Sequence, residues 1–362
     1  MAKIAMFLPS LRGGGAERVM VWLSSGFVER GIDVDLVLAK AEGPLLSEVS
    51  KKVRIVDLSS KRVSYSLPKL VRYLRVEKPD VLLSTIVHAN VISILAKKIS
   101  HVNTKIVVRH TASLHGMKNA KSGLKFKLTI ILAKMFYKEA DLVIANSVVM
   151  ASEIAELFNV PKEKLVTIYN PIPNEIFTRA SEPVLDEWFT KDSSPVILSV
   201  GRLTKQKDFE TLIRAFRIVR KIKEAKLVIL GEGEERTKLE ELAKDLGVDS
   251  DIYMPGFTDN PFKYMRNASV FVLSSRYEGL PNVLIETLAL GVPVVATDCP
   301  TGPREILENG KYGYLVPVGD EKRLAEAIIR VLDGMKPQVD KAWLAKFSYE
   351  RIIEEYLNVL LE

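Results

Sequence analysis

The chain has 362 residues, more than one hydrophobic core usually supports, so it is read as two domains. Its 47% apolar and 27% charged composition excludes a disordered chain, and no stretch approaches the ~18 uncharged apolar residues of a membrane span. The net charge of +7 hides a split: residues 1–180 carry 27 Lys+Arg against 15 Asp+Glu (net +12), and residues 181–362 carry 25 against 30 (net −5), so the first half is matched to an anionic partner. The N-terminal run 1–9 is apolar but too short for a signal sequence and reads as a first strand. Short β-branched runs then alternate with amphipathic helical stretches. The predicted strands of the first half are 4–8, 34–38, 54–58, 81–84, 105–109, 142–145 and 166–168; those of the second are 196–200, 226–230, 252–254, 270–273, 294–296 and 314–316. Alternation of this kind over short connections means parallel sheets with helices on both faces, here twice over. The most apolar run, 81–96, is broken by Ser84, His88, Asn90 and Ser93.

The loop after the first strand, Leu11-Arg12-Gly13-Gly14-Gly15-Ala16-Glu17-Arg18, leads into a helix whose N-terminus can receive an anion; a purely structural turn is the alternative. A dinucleotide fingerprint with Asp33 or Asp35 as ribose partner fails, because Arg18 stands where a third small residue is needed. This removes a nicotinamide dehydrogenase. Between Val81 and Lys138 there are ten basic residues and no acid. Lys118, Lys121, Lys125, Lys127, Lys134 and Lys138 stud a predicted helix over 122–138 that also carries Leu124, Phe126, Leu128, Ile130, Ile131, Leu132, Met135 and Phe136. Such a helix either lies on an anionic lipid surface or packs on its sheet with a solvated lysine face. A nucleic-acid partner would want interleaved aromatics, and only Phe126, Phe136 and Tyr137 are present, so none is expected.

Asn170-Pro171-Ile172-Pro173-Asn174 closes the first series, and residues 180–195, with Pro183 and Ser193-Ser194-Pro195, lead into the second. There Gly201-Arg202-Leu203-Thr204-Lys205-Gln206-Lys207 follows the first strand and puts two cations at the C-terminal edge of a parallel sheet, where ligands bind. Glu278-Gly279-Leu280-Pro281-Asn282-Val283-Leu284-Ile285-Glu286 follows a later strand, with Pro281 suited to a helix's first turn and backbone N–H groups free to face a diphosphate. Glu278 is placed to meet sugar hydroxyls and Glu286 ribose hydroxyls. The alternative is a capped amphipathic helix with two exposed acids. Asp33-x-Asp35 and Asp249-x-Asp251 have the spacing of a Mn²⁺ site, but both lie away from the sheet edge where ligands bind, and no zinc-type cluster occurs. Cys299 is the single cysteine, which excludes an intrachain disulfide and points to an intracellular setting. The last helix, 349–361, has Ile352, Ile353, Tyr356, Leu357 and Leu360 at helical spacing, so it docks on something.

Over nearly its whole length the chain resembles family 4 of the retaining glycosyltransferases, of GT-B fold. The matching stretches are Gly14–Arg18, Arg109-His110-Thr111, Asn170-Pro171-Ile172, Gly201-Arg202-Leu203 through Lys207, Glu278-Gly279-Leu280-Pro281 through Glu286, and Asp298-Cys299-Pro300-Thr301-Gly302-Pro303-Arg304-Glu305. The resemblance implies two doubly wound Rossmann-like domains facing each other across a cleft, 1–174 on the acceptor side and 175–344 for the nucleotide-sugar donor. The helix of about 345–362 returns to the first.

It also implies that Arg202 and Lys207 bind the donor diphosphate, Glu286 the ribose and Glu278 the donor sugar near the reacting carbon. Backbone around Gly279, Leu280, Pro281, Asn282 and Leu284, and the Gly14-Gly15 loop, add donor contacts. His110 approaches the donor sugar or acceptor, and Glu17 and Arg18 lie on the acceptor side. The expected reaction keeps the anomeric configuration, uses a nucleotide diphosphate sugar with uridine as base, and needs no metal or other cofactor. The expected acceptor is a polyprenyl-diphosphate-linked glycan, met by a cytoplasmic enzyme held peripherally on the inner face of the membrane. A soluble transferase acting on a small acceptor is the rival.

Overall fold

The computed structural model describes residues 2–111, 124–189 and 194–362. The chain forms two compact units, one of Met1–Pro171 with Phe347–Glu362 and one of Ile172–Lys346. The sequence reading put the divisions at 174/175 and 344/345.

The first unit is a parallel sheet of seven strands in the order β3-β2-β1-β4-β5-β6-β7. These are β1 (Lys3–Leu8), β2 (Asp33–Leu38), β3 (Arg54–Asp57), β4 (Val81–Thr85), β5 (Lys105–His110), β6 (Leu142–Ala145) and β7 (Leu165–Thr167). Side chains alternate across a strand, and both faces here are apolar because both are covered. Ala5 and Phe7 enter one core, which takes in Leu70, Leu74, Ile94, Tyr137, Ile154 and Phe158 from the helices on that side. Ile4, Met6 and Leu8 enter the other, with Val19, Leu23 and Phe27 of the helix Gly15–Glu29 and with Ile352, Ile353, Tyr356 and Leu360 of the final helix Tyr349–Leu361. The two helices meet at Gly26, where an added Cβ would lie 2.3 Å from Ile353 Cδ1, so a larger residue there would force the Ile353 side chain to move. The Tyr349 hydroxyl donates to the Trp22 carbonyl oxygen at 2.9 Å across the same junction.

The second unit is a parallel sheet of six strands in the order β10-β9-β8-β11-β12-β13. These are β8 (Val196–Val200), β9 (Lys226–Leu230), β10 (Ile252–Gly256), β11 (Val270–Leu273), β12 (Val294–Thr297) and β13 (Tyr314–Val316). Helices Phe209–Arg220 and Glu321–Leu332 cover one face through Phe209, Leu212, Phe216, Leu324, Ile328 and Val331. In each sheet the strand order reverses beside the unit's first strand, between β1 and β4 and between β8 and β11. Loops leaving the C-terminal ends of those strand pairs diverge there and leave a crevice for ligand.

Candidate active site

At the β8/β11 reversal, the loop after β8 ends in Lys207 and the loop after β11 carries Glu278. Lys207 Nζ lies 2.6 Å from Glu278 Oε1, and the Ser275 hydroxyl donates to the same oxygen at 2.6 Å. Gln206 Nε2 donates to the Tyr277 carbonyl oxygen at 3.0 Å, Arg276 N–H to the Gln206 carbonyl oxygen at 2.8 Å, and the Ser274 hydroxyl to the Lys207 carbonyl oxygen at 2.7 Å. The two loops are thereby stitched into one surface. Arg202 is exposed on it, with no side-chain hydrogen bond or ion pair among the described residues. Glu278 and Glu286 are each only 7% exposed, so the picture of two solvated acids on a surface helix is wrong. A carboxylate is kept that far from water only where partners hold it, and Glu278 has an ammonium and a hydroxyl.

The helix that follows runs Asn282–Ala289, and Pro281 is its N-cap, one residue ahead of the first turn where the sequence reading put it. Leu284 is fully buried, and its N–H donates to the Pro281 carbonyl oxygen at 3.0 Å within the first turn. A third loop, after β12, braces the second. Thr301 donates its hydroxyl hydrogen to the Glu278 carbonyl oxygen, and Glu278 N–H reaches the Pro300 carbonyl oxygen at 3.4 Å. Gly302 sits at φ +85°, where an added Cβ would come within 2.5 Å of both the Gly279 carbonyl oxygen and Pro281 Cδ. The site's shape thus depends on that glycine. Arg304 pairs with Asp298 in a two-pronged contact. Cys299 is buried, and burial together with the Glu278 charge pushes its thiol up to about 12, so it stays an unreactive thiol.

In the first unit, Gly14 is the N-cap of the helix Gly15–Glu29, and Glu17 turns its carboxylate back to the Gly14 N–H. The carboxylate so placed suits the helix's positive end. Arg18 is 4.0 Å from Glu48. His110 ends β5 and is fully buried, its Nδ1 3.2 Å from the Tyr137 hydroxyl and its ring 5.5 Å from that of Phe158. Its neighbour Arg109 is also fully buried. Its guanidinium donates to the Tyr356 hydroxyl oxygen at 2.9 Å and to Asn170 Oδ1, so it ties β5 to the final helix and to the end of the unit.

The two Asp-x-Asp spacings are engaged elsewhere. Asp35 is fully buried and accepts from Arg54 Nε at 2.7 Å and from the Tyr73 hydroxyl at 2.5 Å, with Lys3 Nζ 3.2 Å away. Burial pulls its pKa upward, but the bonds from Arg54, Tyr73 and Lys3 outweigh it and hold the carboxyl below its ordinary value. Asp251 accepts from Arg220 Nε at 2.8 Å.

The basic helix is described over Leu124–Phe136; it ends two residues before the 138 read from sequence because Tyr137–Glu139 turns as a 3₁₀ helix, and positions 122 and 123 lie outside the described residues. Lys118, Lys121 and the Lys125 side chain lie outside the described residues. Ala133 is buried, and Ile130, Leu132 and Phe136 pack against the core, yet Leu128, Ile131 and Met135 each remain 54% exposed. Lys127, Lys134 and Lys138 are exposed as well. Val148 and Val149, at the start of the adjoining helix Val148–Phe158, are exposed too. No helix among the described residues is long and apolar enough to cross a membrane.

Sequence reasoning missed Ser275, whose faint signal was the paired serines at the end of β11.

Comparison with known proteins accords with this geometry. Residues 13–175 match the family described as Glycosyltransferase Family 4, and residues 183–342 match Glycosyl transferases group 1. An uncharacterized glycosyltransferase of Methanocaldococcus jannaschii is 34% identical over 88% of this chain and 87% of its own. A Campylobacter jejuni enzyme is 32% identical over 93% of this chain and 92% of its own; it is named as N-acetylgalactosamine-N,N'-diacetylbacillosaminyl-diphospho-undecaprenol 4-alpha-N-acetylgalactosaminyltransferase. The fold is also that of Anabaena HepE, crystallised with UDP-glucose, at a TM-score of 0.84 and 20% identity with both chains covered in full. With two Rossmann-like parallel-sheet units and relatives of this kind over most of its length, the chain belongs to the family 4 glycosyltransferases of GT-B fold.

Proposed function

We propose that this enzyme moves a hexose or N-acetylhexosamine from a uridine diphosphate sugar to a polyprenyl-diphosphate-linked glycan, with retention of configuration and without a metal. The observation that carries the reading is the Lys207–Glu278 pair at the β8/β11 reversal, with exposed Arg202 beside it. Two cations at that edge neutralise the charge that grows on the departing diphosphate, which is the work a metal does in other transferases. Glu286 holds the ribose, and Glu278, kept in place by Lys207 and Ser275, orients the sugar hydroxyls. The acceptor hydroxyl attacks the face from which the nucleotide leaves, and the leaving phosphate takes its proton. Catalysis then rests on positioning and on charge stabilisation.

The Campylobacter relative, by its name, acts on an undecaprenol-diphosphate-linked sugar, and the Anabaena neighbour was crystallised with UDP-glucose, which supports the donor and acceptor classes chosen here. The exposed Leu128, Ile131 and Met135, with Lys127 and Lys134 on the same helix, support a resting place on an anionic leaflet.

Thermal denaturation with each nucleoside diphosphate tests the donor: uridine diphosphate raises Tm most, since a ligand stabilises the state it binds. Equal shifts with every base overturn the choice of uridine.

A further inference from the structure

The turn Glu278-Gly279-Leu280-Pro281 keeps two main-chain donors in reserve. The N–H groups of Gly279 and Leu280 meet no acceptor among the described residues, and Pro281 has no N–H to offer. Leu280 is only 7% exposed. Donors left over in so enclosed a turn call for water or a ligand. Beside them, Glu278 Oε1 is taken up by Lys207 and Ser275, while Oε2 accepts no hydrogen bond among the described residues.

What directs the two N–H groups is the loop after β12. Thr301 is 6% exposed and donates its hydroxyl hydrogen to the Glu278 carbonyl oxygen. The Pro300 carbonyl oxygen is also in reach of that hydroxyl, at 2.8 Å, but it already receives the Glu278 N–H. The next carbonyl oxygen, that of Gly279, faces Gly302 and lies 2.5 Å from where a Cβ would stand there. A trans peptide points its N–H opposite to its C=O, and no cis peptide bond occurs among the described residues. With both carbonyls turned to the β12 loop, the N–H groups of Gly279 and Leu280 point away from it. β12 and β8 flank β11 on opposite sides, so away from β12 is toward the loop that carries Lys207.

Thr301 stands at φ +62°, a left-handed conformation that a β-branched residue rarely takes, and Gly302 follows at φ +85°. Strain of this kind persists where surrounding contacts hold it, and it gathers at functional sites. Glycine would take the same backbone at position 301 without strain, but it brings no hydroxyl. We propose that Thr301 is a positioning residue whose hydroxyl turns the Gly279 and Leu280 N–H groups toward the donor's sugar, to hold its hydroxyl oxygens beside the Glu278 carboxylate. A sugar hydroxyl there donates to the carboxylate and accepts from an N–H, so both of its capacities are used. The proposal rests on the reading of Glu278 as the sugar's partner, and it deepens it.

Thr301→Val removes the hydroxyl at nearly constant shape, and Thr301→Ser keeps it. Calorimetry on each variant measures binding of UDP and of whichever UDP-hexose or UDP-N-acetylhexosamine wild type takes most tightly. Thr301→Val is expected to lose about tenfold in affinity for the UDP-sugar, with affinity for UDP within about twofold of wild type. Thr301→Ser is expected to behave as wild type. A loop that merely holds the fold together would weaken both ligands alike, and equal losses overturn the proposal.

Glycine-selective ¹⁵N NMR judges the clamp by itself, with Gly279 identified by the signal missing from Gly279→Ala. In wild type its amide is expected to exchange freely with water and to be slowed by the UDP-sugar but not by UDP. Its nitrogen shift, which reports the hydrogen bond on the preceding carbonyl, is expected to move in Thr301→Val and to stay in Thr301→Ser. A Gly279 signal unmoved by Thr301→Val overturns the proposal. So does an amide already protected in the free wild-type enzyme, which decides the matter even should Thr301→Val not fold. Failure of every UDP-sugar to bind wild type removes the donor reading instead, and the Gly279 shift still decides the clamp.

Discussion

Lys207 and Glu278, 71 residues apart in the chain, form a 2.6 Å ion pair because β8 and β11 lie side by side in the sheet. Their pairing makes Lys207 inequivalent to Arg202, the other cation proposed for the donor site. Arg202→Ala removes an exposed guanidinium that supports nothing else, so Tm stays at the wild-type value while kcat/KM falls about 10²–10³-fold. Lys207→Ala gives a comparable loss of kcat/KM and also strands a nearly buried carboxylate, at a cost of about 1–3 kcal/mol, so Tm drops by several degrees. Melting curves and donor kinetics on both variants check this. Unimpaired turnover in either one removes that residue from the diphosphate site.

Metal independence is tested most directly with EDTA. Activity is expected to persist, because the proposed reading gives the diphosphate's charge to Arg202 and Lys207. Loss of activity with recovery on adding Mn²⁺ or Mg²⁺ overturns that reading.

The Asp35 carboxylate gives a companion test, by pH. Its folded pKa is depressed, so its contribution to stability is intact above the ordinary aspartate value of about 3.9 and disappears as pH falls through the lower folded value. Asp35→Asn therefore destabilises at pH 7, by about 3–5 kcal/mol for a broken buried pair, and the gap from wild type narrows below about pH 4. A gap that holds constant down to pH 3, or one closed by Mn²⁺, would mean that Asp35 does something other than join Arg54, Tyr73 and Lys3.

The stereochemical outcome follows from the same-face attack. The anomeric proton of the newly linked sugar is expected to show the coupling constant of the donor sugar in ¹H NMR of the product. The inverted coupling would show that water or the acceptor enters from the opposite face, and that a protein carboxylate must act as base.

On the membrane reading proposed above, the exposed side of the helix Leu124–Phe136 offers two kinds of contact, which respond differently to salt. Lys127→Glu with Lys134→Glu should weaken binding to anionic vesicles, since each lysine near such a surface contributes about 1 kcal/mol that salt screens. Leu128→Ser, Ile131→Ser and Met135→Ser together should remove the part of the binding that survives high salt. Co-sedimentation at low and high salt distinguishes the two, and equal binding by all variants would leave the helix as a packed element with apolar residues facing water.

All thirteen strands were legible in the sequence because buried parallel strands are short β-branched runs set between turn signals. Arg202, Lys207 and Glu278 stood out in the sequence for a different reason: they sit in loops just past strand ends, where ligand chemistry collects, and Glu286 stands in the helix that follows. What the sequence could not supply was partnership. That Glu278 is held by Ser275 and Lys207 depends on strand order, and Tyr137 reaches His110 only through the packing of a helix on β5. Burial of Glu278 and Glu286 was likewise invisible, since an acid on an amphipathic stretch ordinarily faces water. Pro281 was misplaced by one residue, within the usual uncertainty of helix ends.

The closure of the first unit by the final helix has a consequence for how the protein comes off the ribosome. Residues 1–171 emerge first, yet one face of their sheet keeps Val19, Leu23 and Phe27 without the cover of Ile352, Ile353 and Tyr356 until the last thirteen-residue helix has been made. Arg109 likewise lacks the Tyr356 hydroxyl until then. At about 5–20 residues per second, the 175 residues of the second unit occupy the interval, so that unit is the first able to complete its own core. A nascent chain stalled before Phe347 should therefore present a folded second unit and a first unit still open to proteases and chaperones on its uncovered face.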